Sequence, residues 1–309
     1  MNRIKIFFIA LITSTTVCAQ DSKFVQTENG TFPVIDEGTG MPILLLHGFP
    51  DSKEVWKNQI PVLVDAGFRV IAPDLRGYGN APSPLEKEKY TIPILMSDVI
   101  GILDELSLDK VHLVGHDWGA SLSWQLVKYY EDRFISLSVL SVGFPGNSAM
   151  SSVEQRRHFW YFYLFLQEGL AEKTFADYDW KFAREALNAH PELEKVISRF
   201  KKENALTTAL NWYRGNLQHM LAKPGVDYKP SNEKTAMTQD KIEIPVLGIW
   251  SELDDALLEP QMKQSTEFAS NFTYKKIMGA GHWMMFEKPD ELNSLILNFL
   301  DELEIVKTH

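Results

Sequence analysis

The sequence predicts an α/β fold in which a mostly parallel central sheet, covered by helices on both faces, carries an inserted all-helical cap. Short apolar runs rich in β-branched and aliphatic residues recur at 43–46, 69–72, 111–114, 136–142, 244–250 and 274–277. Helical patterns follow most of them. The alternation stops after Phe144-Pro145-Gly146, beyond which helix-like segments continue without a comparable buried run. Strands that lack polar alternation are buried on both faces, as in a parallel sheet between helical layers. With 309 residues, 45% of them hydrophobic, the chain can bury one large core with an insertion.

From the start of the chain, residues 1–19 read as a leader. Arg3 and Lys5 supply a positive end, residues 4–12 an apolar stretch, and Val17 and Ala19 occupy the positions where a cleavage site is read. Cleavage after Ala19 and an exported, periplasmic or secreted protein are therefore expected. The single cysteine, Cys18, lies inside this leader, so the mature chain has no thiol for disulfides or catalysis. A lipid anchor on Cys18 is the alternative, disfavoured by the bulk of Val17. No later segment has the roughly twenty apolar residues needed to span a bilayer. Residues 20–145 form the first part of the core, 146–240 the cap and 241–309 the second part.

Within the core, Ile92, Leu95, Val99, Leu103 and Leu106 share one helical face and lead into the strand at 111–114. The cap contains the aromatic run Phe159, Trp160, Tyr161, Phe162 and Tyr163 within a helical stretch at 156–167, and 223–241 reads as its exit linker. A cap between two sheet strands sits over the carboxyl edge of the sheet, where open α/β folds bind their ligands. A net charge of -10 and the lack of long basic runs exclude a nucleic-acid surface and favour a small, uncharged substrate. Nothing in the sequence sets an oligomeric state.

The chemistry concentrates where strands end. Gly115-His116-Asp117-Trp118-Gly119 follows the run at 111–114 and precedes a helical pattern at 120–130. Flanking glycines permit the sharp strand-to-helix turn that exposes a nucleophile, and here the central residue is Asp. A carboxylate that attacks an alkyl carbon forms an ester that water can cleave, whereas serine would leave an inert ether. Asp also favours helix N-caps. The coincidence of strand, glycines and helix is what points to a nucleophile. His282, in Gly279-Ala280-Gly281-His282-Trp283, would be the base for water. Asp254, in Ser251-Glu252-Leu253-Asp254-Asp255, would orient it, with Glu252 and Asp255 as competing carboxylates. The order nucleophile, acid, histidine suits such a fold. The amides of Phe49, in His47-Gly48-Phe49-Pro50, and of Trp118 are the candidate oxyanion hole, and His47 reads as structural. His112 and His116 lack the zinc-binding pattern, so neither a metal nor another cofactor is expected.

Together with Ala72-Pro73-Asp74-Leu75-Arg76-Gly77-Tyr78-Gly79 and Asn211-Trp212-Tyr213-Arg214, these motifs resemble the epoxide hydrolases of the α/β-hydrolase superfamily. The likeness spans nearly all of the mature chain. It implies the α/β-hydrolase fold, an epoxide substrate, water as co-substrate, and a vicinal diol as product. It also implies two cap tyrosines that hold the epoxide oxygen, and Tyr213 matches the second. For the first, one alignment places Phe162 and another Tyr161. Tyr161 is the preferred assignment and Tyr163 the fallback, with Tyr163 and Phe162 as substrate-binding neighbours. Haloalkane dehalogenases are the nearest alternative, although that family usually has Asn where Phe49 stands. A non-catalytic small-ligand sensor on the same fold is the alternative of another class.

Overall fold

In the protein, described here over residues 22–146, 149, 152–218 and 241–307 of a computed structural model, eight strands form one sheet. They are β1 (Lys23–Thr27), β2 (Gly30–Glu37), β3 (Pro42–Leu46), β4 (Arg69–Pro73), β5 (Val111–His116), β6 (Phe134–Leu140), β7 (Val246–Ser251) and β8 (Phe272–Ile277). Their spatial order is β1-β2-β4-β3-β5-β6-β7-β8. The pairs β1/β2 and β2/β4 are antiparallel and the rest parallel. The expected leader with Cys18, and nearly all of the exit linker, lie outside the described residues.

The six apolar runs of the sequence correspond to β3 to β8. Alternate residues of one strand serve opposite cores: Leu44 and Leu46 join one cluster, Ile43 and Leu45 the other. This explains why these strands show no polar alternation. The sequence reading missed β1 and β2 for a physical reason. Only two residues of β1 are buried, and Pro33 interrupts β2, where a missing N–H argues against a strand. Pro33 is tolerated because its carbonyl still accepts from the Asp74 amide, at 2.9 Å.

Three helices of the first core segment are α1 (Ile60–Asp65), α2 (Ile92–Glu105) and α3 (Trp118–Tyr130). Pro93 sits in the first turn of α2, where no N–H is required, and Leu95, Val99 and Leu103 are buried on the face the spacing predicts. Between β6 and β7 stand α4 (Val153–His158), α5 (Trp160–Phe165), α6 (Leu170–Ala186), α7 (Leu193–Phe200) and α8 (Ala205–Asn216). The helical stretch at 156–167 is shared between α4 and α5, which are separated at Phe159, whose ψ of 20° leaves the helical region. The chain then continues through α9 (Glu259–Lys263), α10 (Met284–Glu287) and α11 (Pro289–Lys307). Among the described residues, no helix is long and apolar enough to cross a membrane.

Three residues of the Asn211-Trp212-Tyr213-Arg214 motif tie α8 to its surroundings. Asn211 donates to the Leu85 carbonyl and the buried Trp212 indole to the Arg76 carbonyl, at 2.9 and 2.8 Å. Arg214 grips Glu172 of α6 through two nitrogens, at 2.6 and 2.9 Å. Bidentate geometry of this kind fixes orientation as well as distance. The fourth residue, Tyr213, is thereby held facing the sheet.

Candidate active site

Asp117 occupies the single-residue bend between β5 and α3, with φ 52° and ψ -119°. For a residue with a Cβ this conformation costs about 1–3 kcal/mol and persists only where its surroundings enforce it. Two glycines make the enforcement possible. A Cβ on Gly119 would lie 2.1 Å from the Leu46 carbonyl oxygen, and one on Gly48 would lie 2.3 Å from Asp117 Oδ1. Backbone thus packs directly onto backbone and onto the carboxylate. Asp117 makes no side-chain cap to α3. Instead its Oδ1 accepts the Phe49 amide at 2.7 Å, and the Trp118 amide also hydrogen-bonds the carboxylate.

His282 stands over the other oxygen, with Nε2 3.8 Å from Asp117 Oδ2. Its Nδ1 lies 3.0 Å from Asp254 Oδ2, and Asp254 Oδ1 accepts the amides of Ala256 and Leu257, both at 3.0 Å. Among the three candidate acids, Asp254 therefore contacts the imidazole. Glu252 accepts from the Gly279 amide instead, and Asp255 lines the cavity. Burial opposes charge on all three members of this constellation, but their neighbours decide the outcome differently. Burial raises the Asp117 carboxyl to about 6, against the pull of His282 and the two amides. At His282, burial lowers the value, yet the charge and hydrogen bond of Asp254 and the charge of Asp117 lift it to about 9. Asp254 stays below the usual carboxylate range because His282 and the Leu257 amide outweigh its burial.

The neighbouring histidines are structural. His47 Nε2 accepts the Leu75 amide at 3.0 Å, and its Nδ1 lies 3.1 Å from the Gly48 carbonyl oxygen, so the ring is held neutral. His116 Nε2 lies 2.9 Å from the His282 carbonyl oxygen. Its burial, and then the charge of His282, depress it to about 3. Among the described residues, no cluster of three or more His, Cys, Asp or Glu side chains is arranged to hold a metal.

A cavity of about 130 Å³ lies between this floor and the cap. Asp117, His282, Phe49, Tyr161 and Tyr213 all line it. The Tyr213 ring meets Phe49, Trp118 and Phe165 edge-on, with centroids 5.5, 5.1 and 4.9 Å away. Tyr161 faces Tyr213 at 6.3 Å. Burial, and then the Asp117 charge, raise the ionisation of both hydroxyls, so both remain protonated donors. The structure corrects the other two cap assignments. Tyr163 is 42% exposed and outside the cavity lining, and Phe162 packs on Phe159 and on Tyr213 instead of lining it. Successive helical residues differ by about 100°, so the aromatics of α5 fan out, with Trp160 and Tyr161 on the cavity and Tyr163 turned to solvent.

Sequence reasoning overlooked the joint between cap and core. Asp51 is buried and accepts from the Trp283 indole and from His190 Nε2, each at 3.1 Å. The His190 Nδ1 accepts the Glu192 amide at 2.9 Å, which leaves Nε2 as the donor to Asp51. Asp51 thus links a cap turn to the residue after His282. Its position directly after His47-Gly48-Phe49-Pro50 was the available signal.

A sheet of this order, a carboxylate at the strained β5 bend and a histidine after β8 point to a class of hydrolase, and comparison with known proteins agrees. The alpha/beta hydrolase fold family matches residues 41–289. An epoxide hydrolase 3 of Siraitia grosvenorii is 32% identical over 90% of this chain and 97% of its own length. The AB hydrolase superfamily protein YfhM of Bacillus subtilis shares the same identity and the same coverage. The crystal structure of an epoxide hydrolase from Vigna radiata superposes with a TM-score of 0.76 at 26% identity, covering 91% of this chain and 98% of that one. This chain belongs to the epoxide hydrolase family of the α/β-hydrolase superfamily, and it is an enzyme of the hydrolase class.

Proposed function

We propose that the protein converts a small apolar epoxide to a vicinal diol through a covalent ester on Asp117. The observation that carries this reading is the division of labour between the two Asp117 oxygens. Oδ1 accepts the Phe49 amide, and the Trp118 amide also bonds the carboxylate, while Oδ2 is the oxygen nearest His282. Two tyrosines, Tyr161 and Tyr213, line the cavity. Cavities near about 150 Å³ hold a benzene ring, so the volume suits a small aryl or alkyl epoxide.

In the proposed sequence, Tyr161 and Tyr213 bind the epoxide oxygen. Oδ2 attacks a ring carbon, the ring C–O bond breaks, and a tyrosine proton passes to the departing oxygen. Forming the ester removes the Asp117 charge, one of the charges that hold His282 up at about 9. His282 then yields its proton to restore the tyrosine and becomes the base. It takes a proton from water as the oxygen attacks the Asp117 carbonyl carbon, with the oxyanion developing on Oδ1 against the Phe49 amide already bonded to it and the Trp118 amide beside the carboxylate. Collapse releases the second diol oxygen with the acid proton, returning Asp117 ionised and His282 charged.

Single turnover in heavy-oxygen water checks the route. Label should enter the Asp117 carboxylate first and the diol only on a later cycle. Label confined to the diol in the first turnover would mean direct attack by water and end the ester reading. Halide release from haloalkanes in place of diol formation would favour the dehalogenase alternative.

A further inference from the structure

We propose that Asp255 sets the charge selectivity of the cavity, admitting epoxides whose far end is cationic or neutral and resisting those that carry a carboxylate. The inference rests on the activity proposed above and adds the substrate's charge to it.

Asp255 lines the cavity and is exposed, which places it at the mouth. Among the described residues no hydrogen bond or ion pair engages its carboxylate; its backbone carbonyl is the group that accepts from His158 Nδ1. The carboxylate lies close enough for its charge to act on both Tyr161 and His282. Among the described residues, no lysine or arginine lines the cavity. Trp160, 52% exposed, lines the same cavity and offers an aromatic ring to a passing cation.

Arg156 and Arg157, just before His158, do not reverse this field. Gln155 and His158 are three residues apart on α4 and both bond to the loop at 255–258, Gln155 through the Ala256 carbonyl and Leu258 amide. That shared face turns inward. The two arginines, about 100° and 200° further around the helix, leave from its other sides, and neither lines the cavity. An anionic tail would thus meet an unpaired carboxylate at the entrance, while below it the Asp117 charge is offset by the charged His282 beside it, so the entrance carboxylate decides the sign. A quaternary ammonium would meet a carboxylate and an indole.

Three styrene oxides of matched shape test this, bearing at the para position hydrogen, carboxylate or trimethylammoniomethyl. Rates are compared for the wild type and Asp255→Asn at low and high salt, alongside binding of the three corresponding diols by calorimetry. The readout is the cation-to-anion ratio, in which any general effect of the substitution cancels. Asp255→Asn should lower that ratio by roughly 3–10-fold in kcat/KM, as expected of one partly screened charge, and high salt should compress the wild-type ratio. An unchanged ratio would overturn the proposal. Failure of all three epoxides to react would remove the activity reading, and the diol affinities would then decide the role of Asp255 alone.

Discussion

Asp117 and Tyr213 face the same cavity from opposite sides, and the two are positioned by different means. On the floor, backbone positions the chemistry: a strained bend, amides at Phe49 and Trp118, and glycines that let strand and helix touch. On the roof, side chains position it, with the Tyr213 ring wedged among aromatics and α8 tied down by Trp212 and Arg214. The comparison teaches that charge is entrusted to the part of the site held by backbone geometry, while neutral hydrogen-bond donors are carried by the part held by side-chain packing. Polar groups held by fixed dipoles need no rearrangement as charge develops, whereas a phenol needs only to be within reach.

The hardest test of the floor is to remove its members. Asp117→Ala should lower kcat/KM by about 10^4-fold or more, and His282→Gln should lose turnover while accumulating one equivalent of ester, seen as a mass increase equal to the substrate's. A His282→Gln protein that reacts without gaining mass would contradict the two-step division. Next in size is the seam between the two regions. Asp51→Ala leaves the buried His190 and Trp283 donors unpaired and should cost about 3 kcal/mol of stability, read as a lowered denaturation midpoint.

On the roof, Tyr213→Phe or Tyr161→Phe should slow ester formation by about 10²-fold while leaving ester hydrolysis unaltered, a split that rapid-mixing kinetics resolves. Equal slowing of both steps would mean that the tyrosines shape the cavity and give no acid assistance. A pH titration separates the regions more gently. The attacking form of Asp117 is ionised and its carboxyl is raised to about 6, so kcat/KM should fall about tenfold per pH unit below that value. Retention of full kcat/KM well below pH 6 would place the limiting ionisation elsewhere. The smallest effect is expected at Tyr163, where Tyr163→Phe should change kcat/KM by less than about twofold because the ring lies outside the cavity. A larger loss there would return Tyr163 to the roof.

What could be read from the sequence follows the same divide. The parallel strands β3 to β8, the bend at Asp117 and the partnership of Phe49 and Trp118 were all legible, because each depends on residues adjacent in the chain and on backbone geometry that glycine permits. His282 was legible by its place after the last strand. The choice of Asp254 over Glu252 and Asp255 needed the loop's actual path, since three carboxylates within four residues differ only in where they point. The aromatic run in α5 posed the same problem, resolved when the break at Phe159 turned Tyr161 inward and Tyr163 out.

The sequence by itself determined the fold class, the carboxylate at the β5 bend and the chain order of the residues gathered around it, since hydrophobic periodicity and turn chemistry are local properties. Tertiary structure alone decided which tyrosine meets the cavity, that Asp51 bridges cap and core, and that Asp255 stands at the entrance. Those facts depend on side-chain direction and on contacts between segments far apart in the chain, and neither is encoded in the spacing of residues along it.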